Sequence, residues 1–499
     1  MKKIKWMSIP LALMLVVLAG CQSVGGLDIS KALANNVKPV TSESRQTLSV
    51  EVVPAEGTLS VTDKVAIELI NSFSLNIEQA KVEDARTVSM KGDVELDGQK
   101  TPFLVSMDEQ GIGLEIEGAK QPLYISQQQG IPGFLGTSDL NAMNEESQEL
   151  TIKVGEFIFK HFPNPSVLSV KQGQAEVNGE KLNLTHLHTE VRGDEFFGLV
   201  KPFLVNAAKD EQGLKALLEG YYDLFAPYIY MFDEEYVEGS DSKQAAVEEF
   251  YIELKAALDE ILATYDEDIK SLLEEDPDVA TIFGKDTVLK LDLYFDGKLN
   301  LRKQTMELHI ALPSSDDLPI TAVKVHSDSE VWNIGGAVKA DKVDTSNGVL
   351  DFTVADPTPG QILRNFEDVP ALYQFLDEQM SIGYKTAFID TESDYYGVIK
   401  KEGTAFIPLR FFADELDADI KWTKDSPKRF VVTDDITGKE IVLEVGSSEA
   451  LVDGAAVKLK HPMFIHTNGS GYVPLRFMAE ALGAELDTEI EGWIMLTRD

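Results

Sequence analysis

The sequence repeats itself near its end. Residues 404–416, Thr-Ala-Phe-Ile-Pro-Leu-Arg-Phe-Phe-Ala-Asp-Glu-Leu, align without a gap on residues 470–482, Ser-Gly-Tyr-Val-Pro-Leu-Arg-Phe-Met-Ala-Glu-Ala-Leu. One pattern present twice must build one local structure twice, so residues 381–499 read as a small α+β domain of two repeats. In each copy an aromatic-aliphatic strand end (Phe406-Ile407, Tyr472-Val473) leads into Pro408 or Pro474 at the first helical position, where a missing N–H costs nothing. Leu409, Phe412, Ala413 and Leu416, and equally Leu475, Met478, Ala479 and Leu482, then form the buried stripe of a short helix. Gly483 suits the left-handed position that ends the second helix, and Asp417 stands there in the first. Short strand pairs follow each helix, Ile420–Trp422 with Phe430–Val432 and Glu485-Leu486 with Trp493–Leu496. Asp453-Gly454 turns a hairpin between the copies. Arg410 and Arg476 hold the same place two residues after each proline. A guanidinium there can lock the helix to the sheet through a bidentate pair with a strand carboxylate, a role Lys fills poorly. The alternative is that both arginines bind an anionic wall polymer or sugar acid. The locking role is the expectation, because both copies keep the residue while their surroundings differ.

This tandem motif, with the Gly-Ser-x-x-Ala-x-Val-Asp-Gly hairpin from Gly446 to Gly454, resembles the copper amine oxidase N-terminal-like domain, a stalk module common on secreted and surface proteins of Gram-positive bacteria. The resemblance covers residues 380–499. It implies an interaction module without chemistry of its own, since copper amine oxidases carry a Tyr-derived quinone and a three-His copper site in a separate domain. The sequence has no Asn-Tyr dipeptide of the kind that precedes the quinone. Neither copper amine oxidase activity nor a cofactor is expected.

The other end of the chain speaks to location. Lys2, Lys3 and Lys5 precede an apolar run from Ile9 to Leu18, too short to span a bilayer but suited to a secretory signal. Leu18-Ala19-Gly20-Cys21 resembles a bacterial lipobox, which implies removal of residues 1–20 and acylation of Cys21, the sole cysteine. Residues 21–44 then read as a flexible tether holding the protein to the outer face of the cell membrane. The net charge of −39 repels phosphate backbones, so nucleic acid is excluded as a partner.

Residues 45–380 read as a β half-barrel carrying a helical insert. Period-two alternation, as in Leu289, Leu291, Leu293 and Phe295, marks about ten antiparallel strands with one buried face, and Asp97-Gly98 and Asn178-Gly179 mark hairpins. A helix carries Leu150, Val154, Phe157 and Ile158. The insert, residues 194–280, carries apolar residues at helical spacing, clearest from Val247 to Tyr265, with Pro227 disturbing one helix and Asp233–Ser242 reading as a linker. One curved antiparallel sheet with helices across its concave face is the architecture this order suits, and it resembles the LolA/LppX-like half-barrel of envelope lipoproteins. That resemblance implies a cavity for a lipid or other apolar ligand, lined here by Phe196, Phe197, Phe203, Tyr221, Tyr222 and Phe225; the same side chains could equally fill the core.

Chemistry-bearing patterns are thin. There is no Gly-x-Ser-x-Gly elbow and no phosphate-binding Gly-x-x-x-x-Gly-Lys loop. His186 and His188 share one strand face, and His461 and His466 flank a short apolar segment. Neither pair has a third ligand in the sequence, so both read as ordinary strand histidines and no metal site is expected. The functional expectation is a lipid-anchored, non-enzymatic surface protein: a C-terminal interaction module and a body that binds an apolar ligand, or a cell-wall or envelope protein partner. The alternative is an envelope hydrolase with carboxylate catalysis in the body, which requires a buried acid that spacing cannot reveal.

Overall fold

The computed structural model describes residues 25–37, 40–126, 137–232, 240–315, 318–353, 357–393, 395–422 and 429–498. The expected signal segment, residues 1–20, and Cys21 lie outside the described residues. The chain divides into two compact units, one of Met1–Leu114 with Ser126–Val343 and one of Glu115–Ile125 with Asp344–Asp499. Both are α+β.

The first unit opens with α1 (Ile29–Asn35), β1 (Ser42–Pro54), α2 (Val61–Ser72), β2 (Ser74–Val82), β3 (Val88–Leu96), β4 (Gln99–Asp108) and β5 (Gly111–Ile116). The short β6 (Leu123–Ser126) is treated with the second unit. The first unit resumes with α3 (Thr137–His161), β7 (Val167–Val177), β8 (Glu180–Arg192), α4 (Gly193–Ala207), α5 (Glu211–Phe232), α6 (Ser240–Glu275), α7 (Pro277–Ile282), β9 (Val288–Phe295), β10 (Leu301–Ala311) and β11 (Ile320–Trp332). Its strands hydrogen-bond in the order β5-β4-β3-β2-β1-β11-β10-β9-β8-β7, a curved, half-barrel antiparallel sheet. The β7–β8 hairpin curls back far enough for the Asn178 N–H to donate to Glu330 on β11 at 2.8 Å. Its turn, and that between β3 and β4, is built from Asn178-Gly179 (φ 49° and 79°) and Asp97-Gly98 (φ 50° and 70°), the paired left-handed residues that match the twist of the strands.

Alternation decides what each face does. Leu187 and Val191 on β8, Leu289, Leu291, Leu293 and Phe295 on β9, and Leu308 on β10 are buried. Ile29 and Ala32 of α1, Phe162 after α3, and Phe196 and Leu199 of α4 pack against them. The intervening residues form the polar face.

Three expectations need correction. Residues 21–44 are not a tether throughout: Leu27, Ile29 and Ala32 are buried, and Asp28 caps α1 by accepting from the Lys31 N–H at 3.0 Å, so a seven-residue amphipathic helix anchors this stretch to the sheet. The boundary at 380/381 is too late, because residues 344–380 join the second unit. And α5 continues through Pro227 to Phe232; of the linker expected at 233–242, residues 233–239 lie outside the described residues and Ser240 already begins α6.

The second unit carries β6, paired in parallel with β12 (Leu350–Asp351), then α8 (Pro359–Asn365), α9 (Pro370–Gln374), β13 (Lys385–Asp390), β14 (Ile399–Lys401), β15 (Thr404–Pro408), α10 (Leu409–Glu415), β16 (Ala418–Trp422) and β17 (Arg429–Asp434). It ends with β18 (Glu440–Glu444), β19 (Glu449–Val452), β20 (Ala455–Lys458), β21 (Phe464–Ile465), β22 (Gly471–Pro474), α11 (Leu475–Ala481), β23 (Glu485–Asp487) and β24 (Trp493–Arg498).

Candidate functional site

The two repeats meet in one core. Strands β15 and β22 pair antiparallel with Ile407 opposite Val473, and the stripes of α10 and α11 (Leu409, Phe412, Ala413, Leu416; Leu475, Met478, Ala479, Leu482) are all buried in a single cluster. Pro408 and Pro474 are the N-caps rather than the first helical residues, one position from where the sequence places them. Both helices end on a left-handed residue, Asp417 (φ 52°) and Gly483 (φ 73°). Asp417 tolerates that backbone as one of the few side chains that can, and its buried carboxylate pairs with Lys385 at 3.1 Å and accepts from the Gly360 N–H of α8 at 3.3 Å.

The arginine clamp is made by a different residue. Arg410 and Arg476 are exposed, and among the described residues neither makes a hydrogen bond or ion pair, so the expected lock at the helix starts is absent. Arg498, 3% exposed, donates to both oxygens of Asp434 at 2.7 and 2.8 Å and to the Leu416 carbonyl at 2.7 Å. Asp434 and Arg498 close equivalent strands, Arg-Phe-Val-Val-Thr-Asp in β17 and Trp-Ile-Met-Leu-Thr-Arg in β24. At this last position the two copies carry opposite charges that bind each other. Beside them, the Asp435 carboxylate accepts from Thr358 and Gln361 of α8 at 3.0 and 3.1 Å. Burial, reinforced by Asp419 and Asp417, pushes its pKa up.

In the first unit, the polar face of the sheet assembles a histidine-carboxylate cluster. The β8–β9 register places His188 opposite Asp292 and His186 opposite Tyr294. His186 Nε2 and His188 Nδ1 lie 2.6 and 2.8 Å from the same Asp292 Oδ1. Tyr294 stacks on His186 with ring centroids 4.3 Å apart and planes 5° from parallel. Burial raises the Tyr294 pKa, with Asp292 adding to it. A third donor therefore stands beside the histidine pair, where the sequence offers none. Its signal is weak: alternation puts Asp292 on the polar face of β9, but the helical insert separates that strand from β8, and nothing in the sequence pairs them. The other pair is not so joined, since His461 faces Glu402 at 3.6 Å while His466 lies against Tyr472, 5.3 Å between rings.

The expected apolar lining divides. Phe196 is buried and Phe203 packs against the same core cluster. Tyr221 and Phe225 contact each other on α5, at 51% and 38% exposure, and so fill neither that core nor an enclosed cavity. A mostly apolar groove of about 550 Å³ lies instead between α4 and α6, lined by Phe197, Pro202, Tyr265, Ile269 and Leu273, with the charged Lys201, Asp266, Lys270 and Glu274 also lining it. Tyr265 donates to the Phe197 carbonyl at 3.0 Å, and burial pushes its pKa up to about 12.

Residues 389–496 match the family model described as the Copper amine oxidase N-terminal domain. No curated protein matches the chain. Among the described residues no helix is long and apolar enough to cross a membrane.

Proposed function

We propose that this chain is a lipid-anchored, non-enzymatic protein of the outer membrane face, in which the C-terminal unit is an interaction module and the body binds an apolar ligand or an envelope partner. The observation that carries this reading is the repeat module. Its interior is apolar, and its buried carboxylates are engaged with Arg498, Lys385 and α8 in holding elements together. Its repeated arginines, Arg410 and Arg476, stand free on the surface, which favours recognition of an anionic wall polymer or sugar acid over the locking role. The likeness of residues 389–496 to the copper amine oxidase N-terminal domain supports a module without chemistry of its own. In the body, the groove between α4 and α6, which takes in Phe197 of the residues expected from sequence, is a better seat for an apolar ligand than the rest of them, since it is open and lined by side chains of adjacent helices.

The test is mass spectrometry of an organic extract from the full chain purified from its own cells. A lipid or acyl compound recovered in stoichiometric amount, and lost in a Phe197→Asp variant, is the expected result. An extract indistinguishable from that of the variant contradicts apolar-ligand binding.

A further inference from the structure

We propose that His186, His188 and Asp292 form a binding site for a divalent transition-metal ion of the zinc class on the polar face of the first unit's sheet. Their donor atoms all lie within 4.8 Å of one another, and two imidazoles with a carboxylate are a donor set that suits zinc and its neighbours. Zinc takes such donors at about 2.0–2.2 Å, which spaces them roughly 3.3 Å apart in a tetrahedral arrangement. The present separations from Asp292 Oδ1, 2.6 and 2.8 Å, need only a small opening of the side chains while the backbones stay fixed in the β8–β9 ladder.

The surroundings orient the ligands as a metal site requires. The flat stack on Tyr294 holds the His186 ring. His188 turns Nδ1 towards Asp292 and Nε2 towards Glu190 Oε1, 3.4 Å away. With Nδ1 on the metal, the ring carries its proton on Nε2 and donates it to Glu190, the outer carboxylate contact that fixes the tautomer and raises the basicity of a ligating histidine. The three ligand side chains are 28%, 29% and 28% exposed, so the ion has a path in from solvent and keeps a coordination position for water or an exogenous ligand. Without metal, the cluster holds together because one carboxylate oxygen accepts from both rings; the ion takes over that bridging role.

Isothermal titration of zinc into the chelator-stripped full chain in detergent tests this, with cobalt absorption as a second readout. The expected result is one saturable site. It should weaken about 10- to 100-fold in Glu190→Gln, which touches only the outer contact, weaken at least as far in Asp292→Asn, and vanish in His186→Ala/His188→Ala, with circular dichroism unchanged in metal-free buffer. The cobalt-loaded wild type should show the visible bands of a four-coordinate site, a measurement that needs no variant. Zinc binding equal in the wild type and the double-histidine variant overturns the proposal, as does a wild-type cobalt titration that yields no saturable visible spectrum at one equivalent.

Discussion

Arg498 and Asp434 show how much one side-chain pair can decide. Removing one partner of a buried ion pair leaves a charge without compensation, at a cost of about 3–5 kcal/mol. Arg498→Met should therefore lower the stability of the second unit by that amount, whereas Arg410→Ala and Arg476→Ala, on exposed and unpaired residues, should stay within about 0.5 kcal/mol. Differential scanning calorimetry of the full chain measures all three, and the reverse order of effects would restore the helix-start arginines to the locking role. Asp435 carries a pH signature. Its pKa is raised in the folded state, so its contribution is fully present below the ordinary aspartate value and is lost as pH rises through the raised one. An amide accepts the same hydrogen bonds from Thr358 and Gln361 without the buried charge. The melting temperature of Asp435→Asn relative to wild type should accordingly rise as pH is raised from the ordinary aspartate range; a difference that is flat or falls with pH contradicts the assignment. Neither pair was legible in the sequence, because both join residues far apart in the chain, and only the repeat hints that Asp434 and Arg498 are equivalents.

Elements were more legible where their cause is local. The Asp97-Gly98, Asn178-Gly179 and Asp453-Gly454 hairpins follow from residues that accept positive φ, and the buried stripes of α10 and α11 follow from spacing alone. The element-scale errors have local causes too. Only the turn from Leu27 to Ala32 marks α1, too short a periodicity to separate from a tether, and Pro227, a residue that usually ends a helix, lies inside one that runs on to Phe232. Helix junctions depend on single polar residues. The Asp210 carboxylate accepts at both ends of one: from Lys160 at 2.5 Å and His161 at 2.8 Å at the end of α3, and from the Gly213 N–H at 3.0 Å at the start of α5. The Lys160 hydrogen bond leads in lowering its pKa to about 2. Because that value is depressed, the stabilisation is present above the ordinary aspartate range and fades as pH falls towards about 2. Asp210→Ala should cost about 1 kcal/mol at neutral pH, as loss of a helix cap does, and less in acid. Urea unfolding followed by far-ultraviolet circular dichroism at both pH values checks it, and an equal cost at the two would contradict it.

At the scale of the whole molecule, the sequence divides the chain correctly into a half-barrel body and a repeat module but misplaces the border. Residues 344–380 lack the repeat and so read as body, yet Thr358, Gln361 and Gly360 bond to Asp435 and Asp417 of the module. A fragment beginning at residue 381 should consequently melt lower than one beginning at residue 344, by the loss of these contacts. Equal melting temperatures would mean that α8 contributes nothing to the module. The candidate metal cluster was half legible: alternation puts His186 and His188 on one face, but Asp292 reaches them only through the pairing of strands on either side of the helical insert. The central claim, a protein held to the outer face of the membrane through Cys21, is tested most directly by growing cells with labelled palmitate and comparing wild type with Cys21→Ser. The account predicts label and membrane retention in the wild type, and an unlabelled variant released to the medium, since acyl chains are what anchor such a protein. Label that persists in the variant, or a wild type that takes up none, would contradict it.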